Sequence, residues 1–194
     1  LEILVELARA DMSTCWSLMI GASSSAVMAA CLPERGVAQL FSDGQWPTAA
    51  SSLSPAGHAL RSGDGYRVSG RWGFGSGICH AQGVLAKCVV KDAGPGDAPQ
   101  QISAFIPIDQ VEILDDWKVG GLRGSGSNSY VVDDIFVPDC FIAVIRPLKI
   151  YRGGLRAAAL PLRLPIEHGA VALGGARRAL DEVKQQAVSK KRLT

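Results

Sequence analysis

Two alternating segments joined by one tight turn, "GHALRSGDGYRVSGRWGF" (residues 57–74), constrain the fold more than any other part of the chain. Gly63-Asp64-Gly65 supplies the residue types that tolerate the left-handed backbone of a hairpin turn, so an antiparallel pair is expected here. Short apolar or alternating runs follow: "GVLAKCVV", "ISAFIPI", "VEILDDWKV" and "NSYVVDDIFVP", with the polar loop "AGPGDAPQQ" among them. Short strands broken by Gly and Pro predict an antiparallel barrel or sandwich over residues 48–140.

Helical patterns flank this β region. "LEILVELARA" has apolar residues at helical spacing, Asp11 and Ser13 stand where a second helix could be capped, and Pro33-Glu34 opens a shorter helix that ends near "SDG". An irregular stretch rich in Arg and Pro follows Pro138, and from Pro165 the pattern "IEHGAVALGGARRALDEVKQQAVSKK" is helical, with Gly and Ala that permit close packing. The expected fold class is α+β: helices over 1–47, a β domain over 48–140, and a connection with a helix over 141–194. Leu1 opens in mid-pattern and the last helix is uncapped, so the chain reads as the middle of a longer protein.

Composition removes several function classes. The 194 residues are 47% hydrophobic and 20% charged with net charge +2, and the only block of like charge is the tail "SKKRLT". That balance offers no electrostatic footprint for nucleic acid or for a polybasic membrane anchor. Residues Met12 to Pro33 carry no charge, but five serines, a threonine and the lack of basic flanks favour a buried helical pair over a membrane span. No signal peptide is evident, and five scattered cysteines without CxxC spacing read as reduced thiols of a cytoplasmic protein. Three separated histidines, His58, His80 and His168, give no zinc-ligand spacing, and neither HExxH nor GxSxG occurs, so no metal is expected.

Two stretches remain as candidate chemistry. "GRWGFGSG" (Gly70 to Gly77) places Trp72 and Phe74 among glycines, which weaken a strand and mark a close approach of backbone or ligand. "GLRGSGSNS" (Gly121 to Ser129) exposes backbone N–H groups beside Arg123, as a phosphate-cradling loop does, though a plain Gly/Ser connection fits the same residues. Together they suit a planar redox cofactor such as flavin: Trp72 and Phe74 as apolar wall, Ser76 at the reactive edge, and Arg123, Ser125 and Ser127 for a phosphate. The alternative is that Trp72 and Phe74 are core residues and Ser76 belongs to a turn.

"SSLSPAGHALRSGDGYRVSGRWGFGSGICHAQGVLAKCVV", followed by "DDWKVGGLRGSGSNSYVVDDIFVP", resembles the middle domain of the acyl-CoA dehydrogenase superfamily, and more closely its two-component flavin-dependent monooxygenases. The resemblance extends over nearly the whole chain, with "LARADMSTCW" similar to the end of the N-terminal helical domain and "VALGGARRALDEV" to the first helix of a C-terminal four-helix bundle. It implies a middle β-barrel, a homotetramer, and reduced flavin (FMN or FAD) held between barrel and bundle. It also implies Ser76 as the catalytic residue near flavin N5, with Trp72, Phe74, Ser52 and Ser54 around the ring, and the loop from Arg123 through Ser125 to Ser127 on its phosphate or ribityl side.

On the substrate side the resemblance implies Trp16 and Ser24, with Met19 nearby; core packing is the alternative for each of the three. Ser24 stands where aromatic hydroxylases of this group carry a histidine, Gly83 where they carry a tryptophan, and Ser129 where they carry an aspartate. The implied function is an oxygenase component that hydroxylates or oxidises a small organic substrate, using flavin reduced by a separate NAD(P)H-dependent reductase. An acyl-CoA dehydrogenase using FAD is the alternative enzyme, and a non-catalytic family member the alternative from another class.

Overall fold

The computed structural model describes residues 1–91, 100–153 and 160–189. Most of the expected polar loop, part of the Arg/Pro stretch and the basic tail lie outside the described residues. Helices α1 (Glu2–Ala10), α2 (Met12–Cys31) and α3 (Glu34–Leu40) come first, and α4 (Leu160–Ser189) comes last. Between them run β1 (Ala49–Ser51), β2 (Gly57–Ser62), β3 (Gly65–Trp72), β4 (Gly83–Val90), β5 (Gln101–Pro107), β6 (Glu112–Ile113), β7 (Tyr130–Pro138) and β8 (Ile142–Arg146).

Asp11 separates α1 from α2, and its carboxylate accepts the Thr14 N–H at 2.7 Å, the capping bond anticipated from its position. Helix α2 is long and apolar enough to cross a membrane. Here it packs on the sheet, and its serines serve that packing: Ser24 Oγ accepts the Ala49 N–H at 2.9 Å, and Ser25 donates to Pro47 O. Helix α4 crosses α1 where Gly174 meets the backbone of Val5, and a Cβ at 174 would lie 2.6 Å from that of Ala8.

The eight strands form one sheet in the order β6-β7-β3-β2-β4-β5-β8, with β1 also on β4. The expected hairpin is β2–β3, with Ser62 opposite Gly65. The sheet departs from the expected antiparallel barrel in two respects. Its hydrogen bonding is open, with β6 and β8 as edges, and it is mixed, because β1 and β2 both run parallel to β4. The two share one edge of β4: the chain leaves it after Ser51, passes Pro55, which has no N–H to give a ladder, and rejoins at Gly57. "VEILDDWKV" forms a strand only at Glu112–Ile113, after which the chain turns back toward β7.

Trp72 and Tyr130, both fully buried, stack at 5.2 Å in the main core. A second core, with Met28, Leu32, Leu85 and Phe105, joins α2 to β4 and β5. Burial also pushes the Cys88 thiol up to about 12, so it stays protonated, and all five cysteines are unpaired.

Candidate functional site

The glycine-rich stretch is where β3 ends. After Trp72 the backbone leaves the ladder, Phe74 takes a left-handed conformation (φ 61°), and Gly77 does the same (φ 74°). This turn lifts Phe74 out of the sheet, leaving it 71% exposed, and swings Ser76 back beside the loop before β7. That loop has its own left-handed residues, Leu122 (φ 54°) and Gly126 (φ 51°), which aim Ser125 and Ser127 at Ser76. Left-handed non-glycine residues are strained and gather at functional sites; two of the three among the described residues border one cavity.

The cavity measures about 900 Å³ and lies between α2, the sheet and the start of α4. Its floor is hydroxyl-rich: Ser76, Ser125 and Ser127 from the two turns, and Ser52 and Ser54 from the segment after β1. Aromatic walls stand on either side. Phe74 meets Trp117 edge to face at 6.0 Å, and Trp16 of α2 meets His168 of α4 edge to face at 4.8 Å. Three cations border it, Lys87, Arg146 and Arg163. Burial lowers the Lys87 pKa from the ordinary lysine value. Arg163 is paired with buried Glu167 at 2.7 Å, and Ser23 donates to the same carboxylate.

Of the residues singled out in the sequence, Trp16, Ser24, Ser52, Ser54, Phe74, Ser76, Ser125 and Ser127 line this one cavity, although they come from four separate segments. Trp72 and Arg123 do not, which corrects two expectations. Trp72 is sealed in the core, with its Nε1–H donating to Lys87 O at 2.9 Å, because side chains alternate along β3 and position 72 faces inward. Arg123 sits exposed on a 3-10 turn, outside the cavity wall. Met19 is core, and His80 borders a second cavity of about 570 Å³ behind Ser76.

Sequence reasoning missed Lys87, Arg146, Arg163 and His168, which α4, β4 and β8 bring in from distant parts of the chain and which carry no local motif. Trp117 and Leu122 left a signal, since both lie in the quoted "DDWKVGGLRG".

No family model matches the chain. A FADH(2)-dependent resorcinol hydroxylase, oxygenase component, from Rhizobium sp. strain MTP-10005 is 33% identical over 137 residues, 71% of this chain and 33% of its own length. An indole-3-acetate monooxygenase from Pseudomonas putida is 30% identical over 193 residues, 96% of this chain and 47% of its own length. The chain is a homologue of the two-component flavin-dependent monooxygenases. It spans at most about half the length of the curated relatives it matches. The structure of XiaF from Streptomyces, a complex with FADH2 and glycerol, superposes with TM-score 0.83 at 24% identity, covering 99% of this chain and 50% of XiaF, which places this homologue in the acyl-CoA dehydrogenase-like fold. The named relatives are monooxygenases rather than dehydrogenases.

The cavity's chemistry fits a reduced flavin. Its volume is within the usual range for a small-molecule site, its walls are aromatic, its floor holds hydroxyls at one edge, and cations stand at its rim.

Proposed function

We propose that this chain forms the flavin- and substrate-facing part of the oxygenase component of a two-component monooxygenase. The observation that carries the reading is the serine-floored, aromatic-walled cavity, found in a chain whose homologues are named as such components. Reduced flavin, when bound, supplies the electrons with which one atom of dioxygen is transferred to a small organic substrate.

In this reading Phe74 and Trp117 flank the flat ring, and Ser76, Ser52 and Ser54 meet its polar edge. Ser76 holds the N5 proton in place and is the catalytic residue. Ser125 and Ser127 support Ser76 rather than a phosphate, and Lys87 and Arg146 replace Arg123 as the cations available to the flavin's anionic tail. Trp16, Ser24 and His168 face the substrate, and the apolar flanks of α2 and α4 keep water from the reacting atoms. Reduced FAD is preferred to FMN because the resorcinol hydroxylase relative is named for FADH2. A separate NAD(P)H-dependent reductase delivers it.

We assign the wider assembly in the same way: a homotetramer in the cytoplasm, its β domain completed toward a barrel, with α4 as the first helix of a bundle. Exposed Leu162, Ile166, Leu173 and Leu180 on α4 support a further helical partner.

The test is anaerobic titration with reduced FAD and reduced FMN, followed by isotope-labelled dioxygen and a panel of phenols and indoles. Tight binding of reduced FAD with label in a product supports the reading. Label drawn from water, or no binding of either flavin, removes it.

A further inference from the structure

Ser76 belongs to a chain of hydroxyl groups whose direction is forced at both ends. At one end the indole Nε1–H of Trp16, which can only donate, makes a hydrogen bond to Ser76 Oγ at 2.9 Å. At the other, Ser125 Oγ lies 2.8 Å from the carbonyl oxygen of Leu122, which can only accept. Two oxygens that close need a proton between them, so the Ser125 proton is committed to Leu122.

The intermediate bonds then have one direction each. Ser125 has only lone pairs left for Ser127 at 2.7 Å, so Ser127 donates to Ser125. Ser127 in turn has only lone pairs for Ser76 at 2.8 Å, so Ser76 donates to Ser127. The single proton of Ser76 is thereby used. What Ser76 still has is one lone pair, and the residue borders the cavity. Leu122 O also accepts from Trp117 Nε1 and the Ser125 N–H, so the acceptor that orients the chain is itself held by three donors on a strained, left-handed residue.

We propose that this oriented serine chain makes the cavity edge an acceptor-only position that selects the reduced over the oxidised form of the flavin, with Ser125 as the positioning residue. The inference rests on the flavin reading above. A reduced flavin bound with N5 at Ser76 would donate a hydrogen bond from its N5–H to the free lone pair of Ser76. Oxidised flavin presents a bare lone pair at the same atom and meets another lone pair. Ser125→Ala removes the group that commits the chain: Ser127 is then free to donate to Ser76, whose own proton turns to the cavity. Ser127→Ala frees the Ser76 proton directly.

The experiment measures dissociation constants for oxidised FAD, anaerobically reduced FAD and oxidised 5-deazaFAD, whose C5–H has no lone pair at that position. The wild-type chain, Ser125→Ala and Ser127→Ala are compared, with circular dichroism to verify folding. The wild type is expected to favour reduced over oxidised FAD by about tenfold or more. Each variant is expected to bind oxidised FAD more tightly than the wild type, bringing the ratio close to one. The wild type is also expected to bind 5-deazaFAD several-fold more tightly than oxidised FAD, a comparison that needs no mutation. Equal affinity for oxidised FAD and 5-deazaFAD, or an unchanged ratio in a folded variant, overturns the inference and leaves the flavin reading in place. A wild-type chain that binds no flavin at all overturns both.

Discussion

The indole of Trp16 on α2 donates a hydrogen bond to Ser76 Oγ on the turn after β3, bridging 60 residues of sequence at 2.9 Å. The bond ties the first long helix to the turn that forms the cavity floor. It also uses one of the two acceptor positions of Ser76.

Trp16→Phe tests that tie. Phenylalanine keeps the edge-to-face packing on His168 but has no donor. Stability is expected to fall by about 1 kcal/mol, the usual net worth of one hydrogen bond. Reduced-flavin affinity should fall as well, because the turn that carries Ser76 loses its tie to α2. Urea denaturation and fluorescence titration read the two effects, and a variant unchanged in both would show that the bond contributes nothing.

Gly70 answers why the β3 end is glycine-rich. A Cβ there would lie 2.6 Å from the Gly57 Cα and 2.8 Å from the Trp72 ring. Strands β2 and β3 converge over the buried indole, and no flexible side-chain end is available to move aside. Gly70→Ala is expected to cost about 3 kcal/mol, the upper range for overpacking a core. A loss below about 0.5 kcal/mol, within the range of ordinary surface substitutions, would mean that the close approach relaxes freely.

Phe74 separates stability from binding. Its left-handed backbone is one that only glycine adopts without strain, and its ring is 71% exposed. Phe74→Gly should raise stability by up to about 1 kcal/mol by relieving that strain. Phe74→Ala retains the strain and should not. Both variants lose the edge-to-face partner of Trp117 and should bind flavin more weakly. If glycine proves less stable than alanine at this position, the strain argument is wrong.

Lys87 sets a pH dependence. Burial lowers its folded pKa, whereas the unfolded chain has the ordinary lysine value near about 10.4. Between those two values the unfolded state binds more protons, so this residue's contribution to stability rises with pH across the window and is unfavourable below it. Lys87→Met should therefore raise the thermal midpoint at neutral pH and flatten the alkaline rise, while weakening attraction for an anionic ligand. A lower midpoint at neutral pH would show that the ammonium is stabilised by partners rather than penalised by burial.

Local chemistry was legible where neighbouring residues decide it. The β2–β3 hairpin followed from Gly63-Asp64-Gly65, the α2 cap from Asp11, and most strands from alternation. Eight of the ten candidate site residues meet at one cavity: Phe74, Ser76, Ser125 and Ser127 were legible from the two glycine-rich stretches, whereas Ser52, Ser54, Trp16 and Ser24 came only from the family resemblance. Trp72 was misplaced because alternation says that a residue faces one side of a strand, not which side is core. Arg123 was misplaced because a charged residue in a Gly/Ser loop has no local signal for its direction.

By itself, then, the sequence determined the order of elements, the positions of the turns and the residue types available for an aromatic-walled, hydroxyl-lined site. Tertiary structure alone decided that β1 and β2 share one edge of β4, that Lys87 and His168 reach the cavity, and that Ser127 stands within hydrogen-bond distance of both Ser76 and Ser125. The physical reason is range. Backbone propensity and side-chain alternation act within a few residues, whereas strand pairing, burial of a charge and the direction of a hydroxyl chain are set by groups that only folding brings within about 3 Å of each other.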